Sequence, residues 1–458
     1  MTLSPFVSYL RKITPQKTIL FAASTILMTC ASFSTHASMG NLATTFGLLP
    51  SDMATSQSFS LFNDQVSAAY YNPASLALSD RGELTIGAMQ GSPQLEVESL
   101  GGNNPPVRSG KVLESTNTEN VLIGMKTNLT SLTKFETPVY LGLIAGVEKY
   151  GMEMLAFESN TELQGQFFQY GQKPLFLSIA SAVQPIDGLN IGAGLRVTLH
   201  ASAQMELESD LAGNTNSEKL TVSAEPVLIP VAGITANMET LLCDQGESCM
   251  WRGLDLALAY RGESDTQTKV DANATIPGTI PAPGLPLVVT TLDAYQPMIV
   301  SLGARYDITS SWEVAATAEF QQWSTLTDEL AKDTIKDQAN LQFSDSVIPR
   351  LGTRYKFSDV ITLSAGVSHE TSPLDSTESA DVNVFDNDRL ITSVGVTAYY
   401  KETQFLAYPL RIDAAYQRHQ LADREFTLTS QEVPTSPYET VNTSGSANVF
   451  SLSLSMTF

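Results

Sequence analysis

The chain has 458 residues, 43% of them hydrophobic, with 26 basic against 48 acidic side chains and a formal net charge of −22. Phosphate binding needs a basic patch, so this balance argues against nucleic acid as a partner. Beyond the leader no segment holds eighteen consecutive apolar residues, which excludes transmembrane helices from the mature chain and leaves a closed barrel as the structure that could span lipid.

Residues 1–37 read as a secretory signal. Arg11, Lys12 and Lys17 form a positive start, Thr18–Ser32 a mostly apolar core, and Thr35-His36-Ala37 offers small residues at the cleavage positions. The mature start is expected near Ser38. Lipoprotein processing at Cys30 is the rival, but Thr29 ahead of that cysteine fits it poorly. An uncleaved anchor is disfavoured by the shortness of the apolar run. Residues 38–82 show neither long alternation nor a sustained helical stripe. Such a segment is either a disordered tail or a plug; its apolar residues, Leu42, Phe46, Leu48, Leu49, Phe59, Leu61, Phe62, Val66, Tyr70 and Tyr71, favour a packed plug.

From residue 83 to 458 the dominant signal is two-residue alternation. Asn190 to Leu207 alternates without a break: Ile191, Ala193, Leu195, Val197 and Leu199 on one face, Asn190, Gly192, Gly194, Arg196 and Thr198 on the other. Successive strand side chains point to opposite faces, so this strand has an apolar wall and a polar wall. Strands of soluble sheets are usually about 5–6 residues long; this one suits a tilted membrane strand that extends beyond the bilayer. The pattern recurs at Leu254–Arg261, Val300–Asp307, Ile361–Ser368 and Val449–Phe458. Trp312, Phe320, Tyr355, Tyr400 and Tyr416 fall near strand ends, as an interfacial girdle requires.

Short breaks at Ser131–Thr137, Gln184–Leu189, Thr309–Ser311, Phe357–Asp359 and Glu402–Pro409 alternate with longer polar ones. The longer ones are Gly101–Asn120, Gly151–Gln172, Asp210–Glu218, Asp265–Tyr295, Ser324–Asp345, Leu374–Asp388 and Asp423–Ser444. Short turns on one side and long loops on the other, with roughly fourteen strands between them, predict an all-β, 14-stranded antiparallel transmembrane barrel in the outer membrane of a Gram-negative bacterium. One turn on the short side, Glu239–Arg252, is long and carries Cys243 and Cys249, the two cysteines left after the signal. In an oxidising compartment such a pair reads as a disulfide. A metal site is the alternative, but no nearby histidine completes it. The alternating strand ending at Phe458 carries the terminal aromatic that the barrel-assembly machinery is generally known to read.

Inside residues 38–82 stands Phe62-Asn63-Asp64-Gln65-Val66-Ser67-Ala68-Ala69-Tyr70-Tyr71-Asn72-Pro73-Ala74. This resembles the FadL family of outer-membrane transporters for long-chain fatty acids and other hydrophobic compounds, which carry an Asn-Pro-Ala element at the end of an N-terminal hatch. Tyr260-Arg261, Trp323 and Asp388-Arg389-Leu390 resemble later family blocks. The resemblance covers essentially the whole mature chain, although Ser38-Met39-Gly40-Asn41-Leu42 lacks a clear match to the best-known fatty acid members. It implies a hatch in the lumen (residues 38–82, with Asn72, Pro73 and Ala74 as its motif), a barrel over residues 83–458, and passive transport of hydrophobic molecules, with long-chain fatty acids the first expected cargo and hydrocarbons the second. Ligand would bind in loops and lumen, and hatch movement would release it laterally.

The walls themselves point to hydrophobic cargo. Val227, Ile229, Val231, Phe176, Ile144 and Ile299 are candidates for an apolar lining. Such a lining binds alkyl chains at roughly 0.8 kcal/mol per buried methylene; the competing role is packing against the hatch. Lys126, Arg196, Arg261, Arg305, Arg350, Arg354 and Arg411 are inward basic candidates, with Arg196 and Arg261 preferred as carboxylate ligands. The competing role is pairing with Asp255, Asp307, Glu313, Glu319 or Asp413. Catalysis is not expected: His200 with Ser202 and His369 with Ser368 are chance neighbours without an orienting third group. No cofactor or metal is expected. Expected partners are fatty acids, hydrocarbons or detergent, the surrounding lipid and lipopolysaccharide, and the assembly machinery, with the chain as a monomer. A receptor, adhesin or structural barrel without transport is the alternative, and a general porin a further one.

Overall fold

A computed structural model describes residues 42–102, 117–134, 137–149, 155–156, 175–209, 215–243, 249–276, 280–331, 341–375, 378–380, 384–401, 407–430 and 433–458. The expected signal segment, its cleavage site and Cys30 lie outside these residues. Fourteen antiparallel strands close into one barrel. They are β1 Glu83–Gly101, β2 Thr118–Asn128, β3 Val139–Lys149, β4 Leu175–Ile186, β5 Leu189–Ser209, β6 Thr215–Asn237 and β7 Leu254–Arg261. The ring continues through β8 Met298–Thr309, β9 Trp312–Gln322, β10 Ser346–Lys356, β11 Ile361–Glu370, β12 Arg389–Tyr400, β13 Leu410–Ser430 and β14 Val433–Thr457. Closure comes from β14 on β1, in register from Thr457↔Glu83 upward. Below that pair Gly82 and Phe458 exchange two backbone hydrogen bonds of 2.8 and 3.0 Å.

The alternation has the sense that lipid demands. On β5 Ile191 and Leu195 are 42% and 39% exposed, while Asn190 and Arg196 are 5% and 6% exposed. The apolar wall faces out and the polar wall faces the lumen, the reverse of a soluble fold, because hydrocarbon is the outer solvent. Trp312 and Tyr355 are register partners at the short-turn end, both exposed on the outer face. Tyr416 packs against Phe450 on the same face at 4.9 Å.

Three expected loops are strands instead. Asp210–Glu218 is cut back because β5 runs to Ser209 and β6 starts at Thr215. Asp265–Tyr295 is largely a hairpin of Ser264–Ile276 on Ile280–Gln296. Asp423–Ser444 belongs to β13 and β14, which reach Ser430 and start again at Val433. Beyond the bilayer a strand is not held to one apolar and one polar face, so both the polar run Asp423–Ser430 and the Leu- and Val-rich run Leu285–Leu292 pair as strands without the alternation that reports membrane strands. The long turn between β6 and β7 opens with the helical turn Met238–Leu242 and holds the Cys243–Cys249 disulfide, with a Cα–Cα distance of 5.7 Å.

Residues 42–78 form short helical turns that are almost wholly buried. Pro50 and Pro73 each start a turn, where a missing N–H costs nothing. Asn72 caps the second by accepting from Ala74 N at 3.2 Å. Lumen-facing side chains hold this segment from all round the wall. Ser178 on β4 donates to Ala69 O (2.8 Å), Thr317 on β9 to Ser58 O (2.8 Å), and Lys126 on β2 to Asp64 O (2.9 Å). Ser393 on β12 meets Ser56 Oγ at 2.8 Å.

Candidate ligand site in the barrel lumen

The site grows outward from two tyrosines. Ala68–Tyr71 is one helical turn, and the rings of Tyr70 and Tyr71 meet edge to face at 4.9 Å. Both phenols are anchored. Tyr70 donates to Gln296 Oε1 (2.9 Å) at the foot of the external hairpin, and Tyr71 donates to Ala43 O (2.6 Å) while accepting from Leu48 N (3.1 Å). Arg261 lies over both rings, at 5.0 and 5.3 Å, and Arg196 over Tyr70 at 5.8 Å. A guanidinium on an aromatic face is an attractive contact that strengthens when water is excluded.

The two preferred arginines come together, and both are engaged. Arg196 donates through Nη1 to Gln296 Oε1 and through Nη2 to Ser264 Oγ (3.1 Å). Arg261 Nη2 pairs with Glu319 Oε2 at 2.6 Å. From there a chain of alternating charges crosses the lumen face. Glu319 Oε1 reaches Arg350 Nη2 (3.4 Å), which also meets Glu370 Oε1 (3.1 Å), and Glu370 Oε2 meets Arg389 Nε (3.1 Å). Buried charges persist only when paired in this way. Arg305 pairs with Asp255, Arg411 with Glu83 and Asp413, and Arg354 lies over the Phe59 ring at 4.3 Å. In the buried segment 42–78, burial pushes the Asp52 carboxyl above the usual carboxylate range, against hydrogen bonds from Asn63, Ser60, Ser67 and the Leu49 backbone.

The apolar candidates sort by register. Ile229 is the partner of Arg196, and Val231 the partner of Arg261; both are buried on the lumen face, with Val227 half-buried one step above. Ile299 sits opposite Arg261 on β8. Ile144 instead joins the hatch core with Leu49, Val66 and Tyr70. The side chains of Phe176, His200 and Ser202 lie outside the described residues. One group was missed from the sequence. Tyr295, Trp323 and Phe343 form an aromatic shelf, with ring centroids 5.8 and 6.3 Å apart, and Trp323 donates to Gln321 Oε1 (2.7 Å). Its available signal is the apolar set Leu326, Leu330, Leu341 and Phe343 within an otherwise polar break.

The Asn-Pro-Ala motif is clamped by the wall. Asn72 Nδ2 donates to Leu61 O at 2.8 Å. A Cβ on Gly233 would lie 1.9 Å from Asn72 Oδ1, and one on Gly192 2.3 Å from the Pro73 carbonyl carbon. These two glycines are register partners on β5 and β6, so a side-chain-free patch of wall admits the motif.

With this geometry in place, the match to known proteins is direct. Residues 52–458 match the family described as outer membrane protein transport protein (OMPP1/FadL/TodX). The chain belongs to the FadL/TodX family. It is therefore an outer-membrane transport protein with the family's 14-stranded barrel. Alkane uptake protein A of Marinobacter nauticus is 43% identical to it over 433 residues, 93% of each chain. Among solved structures, a Pseudomonas aeruginosa FadL homologue is similar with a TM-score of 0.59 at 14% identity, over 93% of this chain and 99% of that one. The toluene transporter TodX of Pseudomonas putida has a TM-score of 0.50 at 14% identity, over 90% and 99%. At such identities the structures speak for the fold alone.

Proposed function

We propose that this protein conducts neutral hydrocarbons, alkanes foremost, passively across the outer membrane. The observation that carries the reading is that wall side chains already bond Arg196 and that Glu319 neutralises Arg261. A fatty carboxylate needs a guanidinium whose charge is not already neutralised; Glu319 neutralises Arg261, whose Nε and Nη1 make no hydrogen bond, and Arg196 donates to Gln296 and Ser264. What remains nearby is apolar: Val227, Ile229 and Val231 beside Arg196 and Arg261, and the shelf of Tyr295, Trp323 and Phe343 toward the long loops. An alkyl chain gains roughly 0.8 kcal/mol per methylene on leaving water for such a lining. The 43% identical relative named for alkane uptake supports the same cargo.

In this reading residues 38–82 are the hatch, Asn72-Pro73-Ala74 its hinge to the wall, and residues 83–458 the barrel. Hatch movement lets the chain pass, and release is lateral. Phe458 serves as the assembly signal of a monomeric barrel surrounded by lipid and lipopolysaccharide.

The test is uptake of labelled hexadecane, palmitate and toluene by cells with and without the gene. Loss of hexadecane uptake by about tenfold, restored by the gene in trans, is the expected result. Loss confined to palmitate would favour the fatty acid reading, and unchanged uptake of all three would end the conduit reading.

A further inference from the structure

Two aromatic pairs border the apolar band on the outer face of β13 and β14. At the short-turn end Tyr408 meets Phe458, with ring centroids 5.9 Å apart. Eight residues up β14, Phe450 meets Tyr416 at 4.9 Å. That separation is about 26 Å along a strand and, at a tilt of about 40°, about 20 Å in height, close to the apolar band of an outer-membrane barrel. Between the pairs the outer face carries Leu452, Leu454 and Met456 on β14 and Ile412 and Ala414 on β13. Just above the second pair it turns polar. Arg418 on β13 is exposed, between the buried, inward Gln417 and His419. Its register partners are the exposed Thr392 on β12 and Asn448 on β14. Arg418 Nη2 donates to Gln420 Oε1 at 3.1 Å. Tyr416 OH donates to Asn448 Oδ1 at 2.7 Å, so the Asn448 amide presents its nitrogen to a further acceptor.

His369 is a second polar side chain on the outer face, at the long-loop end of β11. It is exposed, while its neighbours Ser368 and Glu370 face the lumen. Its register line crosses β12 at Leu390 and reaches β13 at Gln420, two residues beyond Arg418. Two strand spacings and two residues put His369 and Arg418 on the order of 12 Å apart. His369 also stands at the rim of an apolar groove of about 720 Å³ on the outer face of β8–β11. The floor of the groove is Ala304, Ala316 and Ala318, and Leu302 and Leu351 rise beside it, 60% and 55% exposed.

We propose that this face of the wall binds a doubly phosphorylated glycolipid of the outer leaflet, the lipid portion of lipopolysaccharide. Arg418, Thr392 and Asn448 hold one phosphate, His369 holds the second, and acyl chains lie on the alanine floor of the groove. Three features select this occupant. The polar side chains stand on the long-loop side of the upper aromatic pair, at the head groups of the external leaflet. A guanidinium receives phosphate oxygens through charge-assisted hydrogen bonds, and the hydroxyl and amide on either side of it add neutral donors. Two donor groups separated by about the length of a disaccharide suit a head group with a phosphate at each end, whereas an ordinary phospholipid engages only one. The chain's formal net charge of −22 repels anionic lipid in general, so a phosphate is held only where a cation faces it. The site is independent of the cargo that the lumen carries.

The test is binding of defined lipids to the full-length, detergent-solubilised protein, read by native mass spectrometry in EDTA so that no divalent cation bridges the phosphates. The probes are bis-phosphoryl lipid A, monophosphoryl lipid A and phosphatidylglycerol. The wild type should retain the first most tightly and the last least. Arg418→Gln should weaken bis-phosphoryl lipid A about tenfold, while Lys356→Gln, an exposed cation at the short-turn end, keeps it within about twofold. His369→Gln should bring bis-phosphoryl lipid A down to the level of the monophosphoryl form, and Ala316→Phe, which fills the groove floor, should weaken both. Compact gel migration shows that each variant is folded. Equal affinity of the wild type and Arg418→Gln overturns the site. So does equal retention of lipid A and phosphatidylglycerol by the wild type, which needs no variant. An unchanged preference in His369→Gln overturns the second phosphate contact, and unchanged binding by Ala316→Phe overturns the acyl seat.

Discussion

Two pairs of facing glycines seat the buried segment 42–78 on the wall, and the two seats differ in their chemistry. On β5 and β6 the register pair Gly192↔Gly233 admits Asn72 and Pro73. On β10 and β11 the register pair Gly352↔Gly366 admits Thr55 and Ser58; a Cβ on Gly366 would lie 2.2 Å from the Thr55 carbonyl carbon. The first seat is neutral, and the hatch there is tied to itself: Asn72 and Ser75 both donate to Leu61 O. The second carries Ser56 and Gln57 at φ of 47° and 65°, a left-handed conformation of order 1–3 kcal/mol above the ordinary one for each. It is also charged, since Arg350, which binds Glu319 and Glu370, donates to Ser56 O at 3.4 Å. In the proposed hatch movement the relaxed seat would act as the pivot and the strained, ion-paired seat as the release point, because letting go recovers the strain.

Four experiments press on this difference. The largest effect is expected from Glu319→Gln, which keeps the shape but leaves Arg261 and Arg350 with fewer partners. Stability should fall by about 3–5 kcal/mol, read from the temperature at which the detergent-solubilised barrel loses its compact gel migration. A wild-type midpoint would mean that the ion chain does not hold the second seat. Next, Gly192→Ala drives a methyl into the backbone of Pro73 and Ala74, whereas Gly352→Ala meets the rotatable Ser58 hydroxyl. The first should cost about 1–3 kcal/mol and raise ion conductance in planar bilayers as the hatch unseats; the second should cost clearly less. Equal conductance in the two variants would erase the distinction between pivot and release point. Asn72→Ala removes the cap and leaves Leu61 O with one donor fewer, for about 1–3 kcal/mol in the same melting assay. The smallest effect belongs to Cys243→Ser with Cys249→Ser. Limited proteolysis should show faster cutting within 238–253, with hexadecane uptake unchanged, because this turn lies away from both seats.

Much of the architecture was legible without coordinates. Alternation as long as that of Asn190–Leu207 has one explanation in lipid, and the disulfide followed from two cysteines in an exported chain. The wall's inward arginines were legible too, since each occupies the polar phase of its strand. The loops were legible only where hydrophobicity still reports structure. The hairpin of Ser264–Gln296 was hidden, because a strand beyond the bilayer need not alternate, and Pro281, Pro283, Gly284 and Pro286 read as a loop. The aromatic shelf was hidden for a different reason: Tyr295, Trp323 and Phe343 are far apart in sequence and meet only because β8 and β9 bring the bases of two external segments together.

The sequence by itself determined that this chain is a barrel of roughly fourteen strands with an apolar outer face, because side-chain period and solvent polarity leave no other arrangement for such long alternating runs. Only the tertiary structure decided what the inward residues do. Whether Arg261 meets a ligand or Glu319, and whether a glycine lightens a strand or seats the buried N-terminal segment, depend on which strand stands opposite. Register between distant segments is set by the closed ring as a whole and is not written in any one of them.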